Sequence, residues 1–279
     1  GRMALISNLV KRKNIMNAVA LNSAGMNIGR FIGPAIAGLI IDTFGLGSAT
    51  LFHGCCYLIG IIFLTRIKMR PDNETRDHNS ILQDLSEGLR YFASTRIVWT
   101  IIGLGFAFGL FASPYLEIMS GFGKTMLDAD AGEVGLLIAS AGLGSILGNI
   151  VLASLGDFKH RNMLMIGSLI LFALTLLMFA WCPWFWVSCT ILVFVGIGSM
   201  SYVSLGTTVL QLSIPPKLLG RVMSFWTLGA ALRYVGALPI GLLADLFDWT
   251  IALSVGALLF FTVILLLGIL NPTLRRMNV

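Results

Sequence analysis

Apolar residues run along this chain in long blocks, each ended by a short cluster of charge, proline or glycine. Cutting at those clusters leaves eight segments, approximately residues 17–41, 48–67, 97–121, 132–155, 162–181, 185–211, 220–245 and 250–270. Each is near the ~20 residues that a helix needs to cross a hydrocarbon core of roughly 30 Å. Backbone polar groups have no water to bond to in lipid, so a segment this apolar is predicted to be a helix, which satisfies them internally. The apolar stretch from Met3 to Val10 reads as the tail of a further helix, in a chain that opens on Gly1 and Arg2 rather than an initiator.

Composition agrees: 57% of the 279 residues are apolar and 11% are charged, against roughly 45–50% and about 25% in a soluble domain. A net charge of +6 could point to nucleic acid until the basic residues are placed between the spans. Taking alternate connections as one side puts fifteen Lys and Arg there, from Lys11 to Arg276, and Lys124 alone on the other. The basic side, including the C-terminus, is assigned to the cytoplasm by the positive-inside rule. No nucleic-acid role is needed; the partner implied is a lipid bilayer. Four cysteines, Cys55, Cys56, Cys182 and Cys189, lie in or beside apolar spans without metal-ligand spacing and read as buried small hydrophobes. His53, without a ligand-like companion, reads as packing.

The first span repeats in the seventh. Arg30 to Gly33 (RFIG) matches Arg233 to Gly236 (RYVG), and Gly38 to Phe44 (GLIIDTF) matches Gly241 to Phe247 (GLLADLF), at one offset of 203 residues. Both copies start on the cytoplasmic side, so the repeat is parallel, about an axis along the membrane normal. Six spans per unit make the first recognisable span the fifth of its unit, which places four helices ahead of residue 1. The expected division is therefore residues 1–67 as the end of an N-terminal six-helix half, 68–96 as a cytoplasmic linker, and 97–279 as a C-terminal six-helix half. Ile81, Leu82, Leu85, Leu89 and Phe92 predict an interfacial helix in that linker.

Two parallel six-helix halves, together with the segment Gly29-Arg30-Phe31-Ile32-Gly33-Pro34-Ala35-Ile36-Ala37-Gly38, resemble the major facilitator superfamily. The segment is similar to that family's fifth-helix antiporter motif, GxxxGPxxGG, with Ala37 in place of a glycine. Ala153 to Asn162 is similar to a worn second-half copy of the GxLaDrxGrr loop, keeping Asp157 and Arg161. The run Lys11 to Ala20 and the stretch Leu85 to Tyr91 resemble the bacterial branch that includes the enterobactin exporter and related efflux proteins. The resemblance implies an all-α integral membrane protein of the major facilitator fold, incomplete, with the fifth to twelfth of twelve helices. It further implies a bacterial inner-membrane location, export of a small amphiphile such as a drug or siderophore by alternating access, and proton antiport.

Several residues are candidates for mechanism. Gly25, Gly29, Gly33 and Gly38 line one helix face and predict close approach of a neighbouring backbone, and Pro34 softens the helix among them. That seam reads as a hinge and seal, or as packing alone. Arg30 and Arg233 fall roughly 20 Å along their spans at ~1.5 Å per residue, near mid-membrane, where Arg costs roughly 2.5–3.5 kcal/mol and faces a cavity or a partner charge. They read either as a pair that attracts substrate or as fixed ion pairs with carboxylates, some on helices upstream of residue 1. Glu117, about 30 Å along its span by the same ruler, reads as a solvated rim residue, with proton coupling as the alternative. Asp42 and Asp245 end their helices and read as solvated or capping. Asn22, Asn27, Asn149, Ser199, Ser201, Tyr202, Ser204, Thr207 and Thr208 supply uncharged polarity. Interhelical hydrogen bonds account for many of these, and a few, with Asn27 and Asn149 as candidates, line a substrate path.

No Walker-type loop, HExxH or GxSxG arrangement is present, so no enzyme and no cofactor is implied. The competing reading is a fragment or membrane scaffold that transports nothing without a separate N-terminal part.

Overall fold

The structure, a computed structural model, describes residues 15–66, 95–155 and 161–269. The expected interfacial helix of the linker, the start at Met3 to Val10 and the motif residue Asp157 lie outside the described residues, as do the side chains of Asn27, Arg30 and Arg161. Every element among the described residues is helical, and seven runs are long and apolar enough to cross a membrane.

The expected spans 17–41 and 48–67 are not separated by a loop. They form one run, α1 (Ile15–Thr65), broken at Gly45, whose φ of 80° and ψ of 167° are non-helical. An unbroken helix of 51 residues would be about 77 Å long, more than twice the hydrocarbon thickness. Only glycine takes this φ without a Cβ clash, and Gly45 falls in the gap between the two expected spans.

The third expected span, 97–121, also differs. It is α-helical as α2 (Arg96–Ala107), widens to a π-turn over Phe108–Ala112, tightens to a 3-10 turn over Ser113–Leu116, and resumes as the short α3 (Met119–Met126). Pro114 cannot donate a backbone hydrogen bond and disfavours a helical residue before it, which accounts for the change of winding. The remaining helices are α4 (Ala131–Leu155), α5 (Arg161–Ala180), α6 (Phe185–Ser213), α7 (Pro216–Leu246) and α8 (Trp249–Val263), the last continued as a π-turn over Ile264–Ile269.

The six spans from α2 onward hold the core. Phe108 in the π-turn is half-buried and packs against it, with ring centroids 5.1 Å from Phe172, 5.3 Å from Tyr202 and 5.7 Å from Phe260. Helix α6 packs between α4 and α5, and α4 also packs against α1. Lipid tails are as apolar as leucine, so helix pairs in a membrane are held by close packing rather than by the hydrophobic effect. Gly144 and Gly148, four residues apart on α4, supply it against Gly196 on α6: a Cβ at Gly144 would strike the Val193 carbonyl, and one at Gly196 the Ala141 carbonyl. Ser204 donates a hydrogen bond of 2.8 Å to the Asn149 side-chain oxygen across the same pair of helices.

The outer ends of the helices carry an aromatic belt. Trp181, Trp184 and Trp186 are 68–73% exposed between α5 and α6, on the side where Lys124 stands alone, and such rings favour the headgroup level. Trp181 also donates to the Ser254 hydroxyl at 3.0 Å, tying α5 to α8. The second half of α1 packs on little: Cys55 and Cys56 are exposed rather than buried as expected, and His53 stacks on exposed Tyr57 at 4.9 Å. Cys189 alone of the four cysteines is buried.

Candidate functional site

A cavity of about 540 Å³ opens among α1, α2 with its π-turn, α4, α6 and α7. Its wall is mostly apolar, from Phe108, Ile138, Met200, Val203 and Trp226 among others. Gly29 and Pro34 of the antiporter-like motif contribute to the α1 wall.

Two charged side chains line it, and they meet. The Arg233 Nε lies 3.2 Å from the Glu117 Oε1, with the two side chains 31% and 32% exposed. Glu117 is an exposed residue, and its side chain stands at the cavity wall. Arg233 also donates from Nη2 to the Tyr234 hydroxyl at 2.6 Å and lies 4.7 Å from that ring's centre. A guanidinium held by one carboxylate oxygen and one phenol keeps donors to spare, because it carries five. The carboxylate beside Arg233 is thus Glu117 of the same chain.

The uncharged polar residues separate into groups that sequence alone left mixed. Ser199, Thr207 and Thr208 return their hydroxyls to carbonyls three or four residues back on α6. Asn149 is engaged with Ser204 and does not line the cavity. Tyr202 is fully buried, lines the cavity and has no hydrogen-bond partner for its hydroxyl.

The glycines of α1 differ in what the described residues place beside them. Gly38 packs on Ala131 and Gly132 of α4, and Gly135 approaches the Pro34 carbonyl, but Gly25, Gly29 and Gly33 have nothing within 4 Å of where a Cβ would stand. At the outer end, Asp42 accepts a 2.6 Å hydrogen bond from the Gly132 backbone N–H. Asp130 accepts from the Glu133 N–H at 2.7 Å, and Glu133 returns the favour to the Asp130 N–H at 3.0 Å, a capping box. Two of the orphan donors at the start of α4 are therefore satisfied, one by its own cap and one by α1. Asp42, though exposed, caps a neighbouring helix, a contact that its repeat mate Asp245 does not share among the described residues.

The model of the transmembrane secretion effector family, MFS_3, matches residues 2–278. The chain belongs to this family of major facilitator transporters. It is 27% identical over 232 residues to the enterobactin exporter EntS of Shigella boydii serotype 18, covering 81% of this chain and 53% of the relative. It is 26% identical over the same length to the enterobactin exporter EntS of Escherichia coli O1:K1. The chain spans about half the length of the curated relatives it matches. Its fold matches a bacterial homolog of the human lysosomal transporter Spinster, solved in an inward-facing and unoccupied conformation, with a TM-score of 0.62 at 15% identity, over 96% of this chain and 71% of that one. The protein is a multi-pass, all-α membrane protein of the major facilitator fold.

Trp226 is the cavity residue that sequence reasoning passed over, because it stands in an apolar span. Tyr202 was named there only as one of a run of hydroxyl residues, with nothing to single it out. The glycines at 105 and 206 that flank Trp226 were the available signal, but they lie on separate helices.

Proposed function

We propose that the protein is a secondary active exporter of a small amphiphilic molecule, moving it through the cavity by alternating access at the bacterial inner membrane with its C-terminus in the cytoplasm. The observation that carries this reading is the Arg233–Glu117 ion pair in the wall of a largely apolar cavity, in a chain of a secretion-effector family. An apolar wall holds the body of an amphiphile, and an ion pair offers one polar switch point to it.

In this mechanism the Arg233–Glu117 pair opens and Arg233 binds a polar group of the cargo through its guanidinium donors. Re-formation of the pair then expels the cargo. The α1 to α4 seam at Gly38 and Asp42 is the outer contact that parts as the structure rocks. The transport unit includes a facing set of helices, seated on the exposed apolar surface of α1, which with α1 completes the other half. On the competing reading this polypeptide is a scaffold that moves nothing.

Efflux from a bacterial strain lacking its own pumps tests the reading. Cells expressing the protein are expected to lose a preloaded catechol siderophore or lipophilic drug faster than control cells, and a protonophore to abolish the difference. Equal retention of both classes with the protein present in the membrane would favour the scaffold. Expression with and without the upstream helices separates the two cases.

A further inference from the structure

We infer that the cavity holds an uncharged subsite at Tyr202 and Trp226 which takes a neutral, planar aromatic group bearing a hydroxyl or carbonyl. This rests on the reading of the cavity as the path of the cargo and deepens it by naming a substrate class.

The first observation is the Tyr202 hydroxyl. The side chain is 0% exposed and the hydroxyl is unpartnered. Buried polar groups are nearly always hydrogen-bonded, and one that is not carries a standing desolvation penalty. A ligand atom that bonds to this hydroxyl removes the penalty, and an isostere that cannot bond leaves it in place.

The second is the seat of the Trp226 indole. Its Cζ3 would stand 2.8 Å from a Cβ at Gly105, and its Cη2 2.8 Å from a Cβ at Gly206. The indole lies in a slot that exists because two helices carry glycine there. Its ring is 5.7 Å from that of Tyr202, at 60°, within the range of favourable aromatic contact. Trp226 is half-buried and lines the cavity, and its ring edge and the Tyr202 hydroxyl both stand beside Gly105. Rotation of Trp226 toward the cavity empties a slot of the thickness of one flat ring, with a hydroxyl at its wall. A planar aromatic group fits there; a branched aliphatic one does not.

The third is charge. Arg233 and Glu117 neutralise one another in the same wall, so with the pair intact nothing draws in net charge, and a neutral ring is favoured.

The test uses the purified protein in nanodiscs, with 2-naphthol and 2-methylnaphthalene as probes of matched shape, measured by equilibrium dialysis against empty nanodiscs. The protein is expected to bind 2-naphthol about tenfold more tightly than 2-methylnaphthalene. Tyr202→Phe is expected to abolish that preference, leave 2-methylnaphthalene binding unchanged, and melt at or above the wild-type temperature, since it deletes only an unpartnered hydroxyl. Gly206→Ala, which narrows the slot, is expected to weaken both probes. A preference that survives in Tyr202→Phe, or its absence in the wild type, overturns the proposal. Dialysis needs no transport, so a preference lost in Tyr202→Phe by a protein that shows no efflux sinks the exporter reading alone. Efflux with a preference untouched by Tyr202→Phe sinks the subsite alone.

Discussion

Replacing Asp42 by alanine tests whether α1 and α4 are joined as described. The Asp42 carboxylate accepts from the Gly132 N–H at 2.6 Å, at the second position of α4, where the helix has no carbonyl of its own to offer. Losing a capping acceptor costs about 0.5–2 kcal/mol, and the favourable placement of an anion at a helix N-terminus contributes about 0.3–1 kcal/mol. The two overlap, and Asp42 is exposed, so the expected loss is about 1–2 kcal/mol. At roughly 2–4 °C per kcal/mol for a chain of this order of size, Asp42→Ala should melt about 2–8 °C below wild type in detergent, followed by intrinsic fluorescence. Asp42→Asn keeps an acceptor oxygen without its charge and should fall between. The repeat supplies the control: Asp245 occupies the matching position and is equally exposed but caps no helix among the described residues, and Asp245→Ala should stay within about 0.5 kcal/mol, the usual range for such a surface change. Equal melting of Asp42→Ala and wild type, or an equal loss in Asp245→Ala, would refute the cap.

Three further outcomes follow from the packing and the topology. Gly196→Leu places a side chain where the Ala141 carbonyl already stands, and it should lower the folded yield in membranes, against a small effect for Gly167→Leu, which has open space; overpacking costs typically 1–3 kcal/mol, occasionally more. Asn149→Ala removes one interhelical hydrogen bond and should cost about 0.6 kcal/mol, the average for such bonds in a membrane, read by unfolding in mixed micelles. Single cysteines introduced as Asp72→Cys and Asp128→Cys, in a background without native cysteines, should label from opposite sides of the membrane; labelling from one side would mean that the span assignment is wrong.

Much of the fold was legible because bilayer thickness imposes a length on every apolar run and charge marks its ends. Gly45 shows how far that goes: the gap between two expected spans is the residue at which α1 breaks. Legibility failed where the chain changes winding without changing polarity. Residues 97–121 stay apolar through α, π and 3-10 turns, so no boundary was visible around Pro114. Arg233 and Glu117 were each conspicuous as charges in apolar spans, but their pairing joins residues on separate helices and no local pattern announces it. The cap joining Asp42 to Gly132 links residues 90 apart, and nothing local in either segment announces it. Of the glycines in the antiporter-like stripe, Gly38 is the one that packs closely on another helix among the described residues.

The central claim is that the cavity bearing Arg233 and Glu117 is the path of transport. Efflux driven by an imposed pH gradient in proteoliposomes, with membrane insertion quantified for each variant, tests it most directly. Arg233→Ala and Glu117→Gln are each expected to abolish the pH-driven flux while inserting at wild-type levels. Wild-type flux in both variants would contradict the account.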